Sequence, residues 1–148
     1  MMRFLSMGSI PQKVVVHTDG AIQPEAGISG LAAVVSAEDG QIRAIWSRRA
    51  GKLTCNEAEY AAAHLALENL LRRGAREVLV RSDSQVMVHQ MSGLASAQSP
   101  KLKQAQSRLR ALVVQFEQVK FEHIPREQNQ VADAVASEAL GGKEQNYG

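Results

Sequence analysis

The sequence predicts a single α/β domain built on a mixed five-stranded sheet with helices packed against it. Three observations predict it. The first third of the chain carries β-branched and apolar runs of strand length, two of them joined by an Asp-Gly turn. The remainder alternates helical periodicity with two shorter apolar runs. The connections in that second part are too long for hairpins, so the first, fourth and fifth strands run parallel while the first three form an antiparallel meander.

The elements follow in order. Lys13 to Thr18 is a β-branched run for a central strand, ending at Asp19-Gly20. Ile28 to Ala37 and Gln41 to Arg49 flank Glu38-Asp39-Gly40, a hairpin signal. A helix begins near Thr54 and runs to about Arg73, where Gly74 stops it. Val78 to Val80 is a strand covered on both faces, followed by the capping cluster Ser82-Asp83-Ser84 and a short helix to Met91. Leu102, Ala105, Leu109, Leu112 and Phe116 mark one stripe of the next helix. Val119 to Ile124 is the fifth strand, and Asn129 caps a last helix through Leu140.

The chain of 148 residues suits one core, and its 45% hydrophobic and 22% charged content is ordinary for a soluble domain. We expect residues 1–11 to be a flexible leader, 12–141 the folded domain and 142–148 a flexible tail. No apolar stretch is long enough to span a bilayer, and the opening lacks a signal-peptide core. The lone Cys55 excludes a disulfide framework and fits a reducing, cytoplasmic compartment. A formal charge of +2 does not announce a nucleic-acid partner. The cations are clustered, however: Arg43, Arg48, Arg49 and Lys52 in one stretch, Lys101, Lys103, Arg108 and Arg110 in another.

Four acidic residues carry the chemistry. Asp19 and Asp83 both follow apolar strands, and parallel neighbours would bring them out side by side at the sheet edge where open α/β sheets bind ligands. Singly, each also fits a turn residue or a helix cap. Thr54-x-x-Glu57 has capping-box spacing, so Glu57 has a structural role on the polar face with His64, Glu68 and Arg72. Glu59 lies about 200° away, among Ala63, Ala66 and Leu70, where a carboxylate is costly to bury without a partner. Asp133 falls in the first turns of a helix, where negative charge suits the dipole, and spacing alone leaves its role open. Two unit charges about 4 Å apart repel by roughly 4 kcal/mol at an effective dielectric near 20. Four gathered carboxylates therefore need a divalent cation to stay ionised. That set points to metal-assisted attack on a phosphodiester.

The phrases Thr-Asp-Gly-Ala, Thr-Cys-Asn-Glu-Ala-Glu-Tyr, Ser-Asp-Ser-Gln and Pro-Arg-Glu-Gln-Asn-Gln-Val-Ala-Asp-Ala resemble, in order, the four motifs of type 1 ribonuclease H, over about residues 13–140. The resemblance implies a ribonuclease H-like fold and an endonuclease that hydrolyses the RNA strand of RNA/DNA hybrids. It also implies two Mg²⁺ ions per site, with Mn²⁺ as a substitute, held by Asp19, Glu59, Asp83 and Asp133. One ion would generate the nucleophile and the other stabilise the leaving oxygen. Lys52 and Thr54 match positions that grip a DNA-strand phosphate, so capping and phosphate binding compete for Thr54. Asn56 and Gln85 match positions in the minor groove, where the 2′-hydroxyl marks RNA. Gly20, Cys55, Ser84 and Asn129 complete the substrate-binding set with Arg126.

Three features depart from many relatives. Cys55 stands where Asn is common. Ile124 to Asn129 is too short for a mobile histidine loop, leaving Arg126 as the candidate substitute and His123 as a strand residue. Gly93 to Pro100 carries no cation, so the basic protrusion is absent and the chain resembles the compact archaeal-like branch. His17, His64 and His89 lack ligand spacing, and Trp46 reads as packing. No protein partner is implied and a monomer is expected. Another nuclease of the superfamily, a resolvase or exonuclease, would lack the Thr-x-Asn-x-x-Glu and Ser-Asp-Ser-Gln phrases. A non-catalytic hybrid-binding module would have lost a carboxylate.

Overall fold

The computed structural model describes residues 2–6 and 9–141. In chain order the elements are β1 (Met2–Ser6), β2 (Lys13–Gln23), β3 (Ile28–Ser36), β4 (Ile42–Ala50), α1 (Cys55–Arg72), β5 (Glu77–Ser82), α2 (Gln85–Met91), α3 (Pro100–Val113), β6 (Gln118–His123) and α4 (Gln130–Ala139). They form one sheet in the order β1-β4-β3-β2-β5-β6. β2, β3 and β4 are an antiparallel meander, whereas β2/β5 and β5/β6 are parallel, as the crossover lengths require.

Two expectations are corrected here. Met2–Ser6 is not a loose leader: it pairs antiparallel with β4, from Met2↔Arg48 to Ser6↔Ala44, and adds a sixth strand at the sheet edge. The apolar alternation of so short an edge strand is too weak to separate from an unstructured terminus. The expected tail at 142–148 lies outside the described residues. The second correction concerns β2, which does not stop at Asp19-Gly20 but continues to Gln23, pairing with β3 throughout. Its pairing with β5 ends at His17↔Arg81. Beyond that point β2 is paired with β3 alone, and Asp19 lies in that stretch.

α1 begins where its sequence says it should. The Thr54 hydroxyl accepts from the Glu57 amide at 3.1 Å, and the Glu57 carboxylate accepts from the Thr54 amide at 2.8 Å. Such a box stabilises a helix start by about 1 kcal/mol. Ser84, not Asp83, caps α2, and its hydroxyl accepts from the Met87 amide at 3.2 Å. Asp83 is left free for other work. The main core joins Val14 and Val16 of β2, Trp46 of β4, Leu67 and Leu70 of α1, Met87 of α2 and Leu109 of α3. Trp46 is 1% exposed, with the Arg73 guanidinium 5.0 Å from its ring centroid, so it is packing as expected.

Two strand glycines set how closely the helices approach. A Cβ on Gly20 would lie 2.6 Å from the backbone of Ala58 in α1, and one on Gly30 would lie 2.1 Å from the Ala136 carbonyl oxygen in α4. Gly20 pairs with Leu31, the neighbour of Gly30, so the two glycines face opposite sides of the sheet. α1 and α4 are thereby drawn onto opposite faces at the same stretch of β2 and β3. Alanines line the contacts: Ala58 and Ala62 on α1, Ala132 and Ala136 on α4, each at most 1% exposed.

Candidate active site

Four elements deliver the four carboxylates. Asp19 comes from β2, Glu59 from the second turn of α1, Asp83 from the residue after β5 and Asp133 from the first turn of α4. One carboxylate oxygen each from Asp19, Glu59 and Asp83 lie within 4.8 Å of one another. Asp133 stands outside that trio but shares a hydrogen bond with Asp19, which makes Asp19 the common member. Glu57, two residues from Glu59, is held in the capping box and takes no part.

The electrostatics follow from burial and like charge. Burial first, then the charges of Asp83 and Asp133 and the hydrogen bond with Asp133, push Asp19 up to about 7. Burial, followed by the charges of Asp19 and Asp83, pushes Glu59 up to about 9. The Gly20 amide opposes both by hydrogen bonding to the two carboxylates. This amide can reach Glu59 only because Gly20 lets α1 close in. Asp19 is 5% exposed, and Glu59 Oε1 is buried with no hydrogen-bond partner. An unpartnered buried carboxylate oxygen beside two other carboxylates is a donor set for a hard divalent cation, so the residues fit the metal their chemistry requires.

A stability prediction follows. Both carboxyls bind protons more tightly in the fold than in the unfolded chain. The stabilisation is fully present below ordinary carboxylate values and is lost as pH rises through about 7 for Asp19 and about 9 for Glu59. Urea denaturation in excess chelator should therefore show a lower midpoint at pH 8.5 than at pH 5.5, with Mg²⁺ restoring much of the loss at pH 8.5. A midpoint that rises with pH would contradict this arrangement.

Asn129 is placed differently from expectation. It is 1% exposed, its side chain does not cap α4, and its Nδ2 donates to the Thr18 carbonyl at 2.9 Å. The bond spans 111 residues and ties the backbone beside Asp19 to the start of the helix that carries Asp133. Asn129 thus links the elements that carry Asp19 and Asp133. Gly20 sits where α1 packs closest against β2. Lys52, Thr54, Cys55 and Gln85 are exposed, and Asn56 and Ser84 are half-buried, all at the starts of α1 and α2. Arg126 is exposed in the turn before α4. The Thr54 oxygen accepts the Glu57 amide, which leaves its hydroxyl hydrogen available to donate to another group. Gly30 was not among the expected residues, although a glycine inside a strand signals close backbone approach.

Residues 17–139 match the family described as reverse transcriptase-like. The chain is 34% identical to ribonuclease HI of the archaeon Halobacterium salinarum, over 86% of this chain and 64% of that protein. It is 33% identical to a bifunctional protein of Mycobacterium tuberculosis, over 90% of this chain. It spans 37% of that relative's length. Among solved structures, ribonuclease H1 of H. salinarum superposes with a TM-score of 0.83, covering 86% of this chain and 97% of that one. The N-terminal ribonuclease H domain of the mycobacterial protein gives 0.82 at 34% identity, covering 88% and 94%. A ribonuclease H1 from compost, solved in complex with RNA/DNA hybrid, gives 0.81 at 34% identity, covering 86% and 96%.

Proposed function

The chain belongs to the ribonuclease H family, and from that premise we propose that it is an endonuclease hydrolysing the RNA strand of RNA/DNA hybrids at Asp19, Glu59, Asp83 and Asp133. The observation that carries the proposal is the meeting of carboxylates from separate elements, with one buried oxygen left unpartnered. Asp19, Glu59, Asp83 and Asp133 would hold two divalent ions, Mg²⁺ or Mn²⁺. Bound there, the ions supply the Lewis acidity that phosphodiester hydrolysis needs at neutral pH.

The chain's own residues prepare that chemistry. Asp19, which would be a ligand of the metal, is buried and hydrogen-bonded by the Gly20 amide, so the site is set before substrate arrives. Glu59 and Asp83 stand together on the leaving-group side, and Asp133, beside Asp19, serves the side of the attacking water. Lys52 and the free Thr54 hydroxyl hold a phosphate of the uncut DNA strand. Asn56 and Gln85 read the minor groove, where the 2′-hydroxyl selects RNA. Cys55 and Ser84, at the starts of α1 and α2, and Arg126, in the turn before α4, would complete the substrate contacts.

No described helix is long and apolar enough to cross a membrane. The exposed Cys55 suits a cytoplasmic protein, and the proposed form is a monomer. The test is incubation of end-labelled RNA/DNA hybrid, duplex DNA, duplex RNA and single-stranded RNA with Mg²⁺ and, separately, with chelator. Internal cleavage of the RNA strand of the hybrid, only with metal, is expected. Failure to cut hybrid, or equal cutting of duplex DNA, would overturn the proposal.

A further inference from the structure

α2 has only seven residues, too few to hold a helix unaided. Its apolar anchors are Met87, Val88 and Met91, each at most 8% exposed. Two of the three are unbranched thioethers, which fill space in more than one way. Directional contacts gather instead at its C-terminal end, on Gln90, which is 5% exposed. The Tyr60 hydroxyl of α1 donates to Gln90 Oε1 at 2.5 Å, a bond buried at both ends. The Gln90 carbonyl accepts from Gln106 Nε2 and from the Arg110 guanidinium of α3, both at 3.1 Å. One residue of α2 is therefore bonded to both neighbouring helices. The other end of α2 enters the carboxylate site: Asp83 precedes its Ser84 cap, and Gln85 is its first residue. On α1, Tyr60 directly follows Glu59, about 100° further round the helix. Glu59 thus faces Asp19 and Asp83 while Tyr60 faces α2.

We propose that Tyr60 and Gln90 are positioning residues: their buried hydrogen bond sets the direction of α2 on α1, and so holds Asp83 against Glu59 and aims Gln85 at the hybrid. The inference rests on hybrid hydrolysis at the four carboxylates. A hydroxyl–amide bond has a narrow range of good geometries, whereas the methionine anchors tolerate a tilt. Ser84 to Gln90 spans about 9 Å, so a helix released at its Gln90 end can swing about its Ser84 end. A displacement of about 1 Å at reacting groups can cost on the order of a hundredfold in rate. Asp83 has little room for one, because its oxygen belongs to the trio gathered within 4.8 Å.

The experiment compares wild type with two variants. Tyr60→Phe deletes one oxygen and leaves Gln90 Oε1 buried without its partner. Tyr60→Phe/Gln90→Met replaces the polar pair with two apolar groups. Mg²⁺ affinity is read by titration calorimetry without hybrid, kcat and KM by cleavage of labelled hybrid, and stability by thermal melts in chelator. Wild-type cleavage tests the hydrolytic reading, and the calorimetry, which needs no turnover, tests the positioning bond. In Tyr60→Phe, Mg²⁺ affinity should fall about fivefold and kcat about tenfold, with a lowered melting temperature, as one lost buried hydrogen bond allows. In the double variant the melting temperature should return close to wild type, because no polar atom of the pair is left stranded. Mg²⁺ affinity and kcat should stay low there, since nothing directional aligns α2 on α1. Wild-type Mg²⁺ affinity in Tyr60→Phe overturns the proposal. So do Mg²⁺ affinity and kcat that follow the melting temperature through both variants, whether or not it recovers, which would make the pair a packing element only.

Discussion

Asp19→Asn is expected to lower turnover by about three orders of magnitude while leaving the metal-free protein more stable at neutral pH. Asp19 is the one carboxylate in contact with both groupings, the trio with Glu59 and Asp83 and the hydrogen bond with Asp133. Its loss therefore weakens the whole donor set. A bound divalent ion contributes several kcal/mol to the transition state, and each 1.36 kcal/mol is tenfold in rate, which gives the expected loss. The opposite effect on stability has the same origin. Asn has the shape of Asp but no charge, so it removes the repulsion that pushes Asp19 up to about 7 and helps push Glu59 up to about 9. At pH 8 in chelator the gain should be on the order of 1–3 kcal/mol. Thermal melts of both proteins, alongside hybrid cleavage, check the pair of effects. Wild-type activity in the variant, or in excess chelator, would remove the metal site from the mechanism.

Glu59→Gln should be inactive and Glu57→Gln nearly wild-type, although the residues are two apart on one helix. Glu59 presents a buried, unpartnered oxygen to Asp19 and Asp83, and Gln would present a neutral amide in its place. Glu57 is committed to the helix start by bonds of 2.8 and 3.1 Å with Thr54. Gln keeps that geometry, with a stability change below about 1 kcal/mol. Cleavage rates on proteins with matching circular-dichroism spectra decide the matter. Equal losses from the two substitutions would assign the metal-facing side of α1 wrongly.

The side of α1 that carries Glu59 is legible in the sequence because helix phase is a local property. A 100° step puts Glu57 with His64 and Glu68, which are half-buried, and Glu59 with Ala63, Ala66 and Leu70, which are fully buried. The capping box, the Asp-Gly hairpin and the parallel pairing of β2, β5 and β6 are legible for the same reason. Each depends on residues near in sequence or on the length of a connection. The length of β2 is not legible. Gly20 resembles a stop, and only its packing against Ala58 shows that it is there for close approach. Asn129 has the residue type and position of a helix cap, but its amide is used on Thr18, 111 residues away.

By itself, then, the sequence determined the order and type of the elements after residue 12, the four carboxylates and the family they mark. Those rest on periodicity, capping and turn chemistry, which act over a few residues. The tertiary structure alone decided how the carboxylates group: a trio of Asp19, Glu59 and Asp83, with Asp133 joined through Asp19. It also decided that Gly20 and Gly30 draw two helices onto opposite faces of one strand pair. Distances between residues remote in sequence are set by which surfaces pack and how closely. Packing depends on the shapes of both partners, and neither partner's local sequence contains the other.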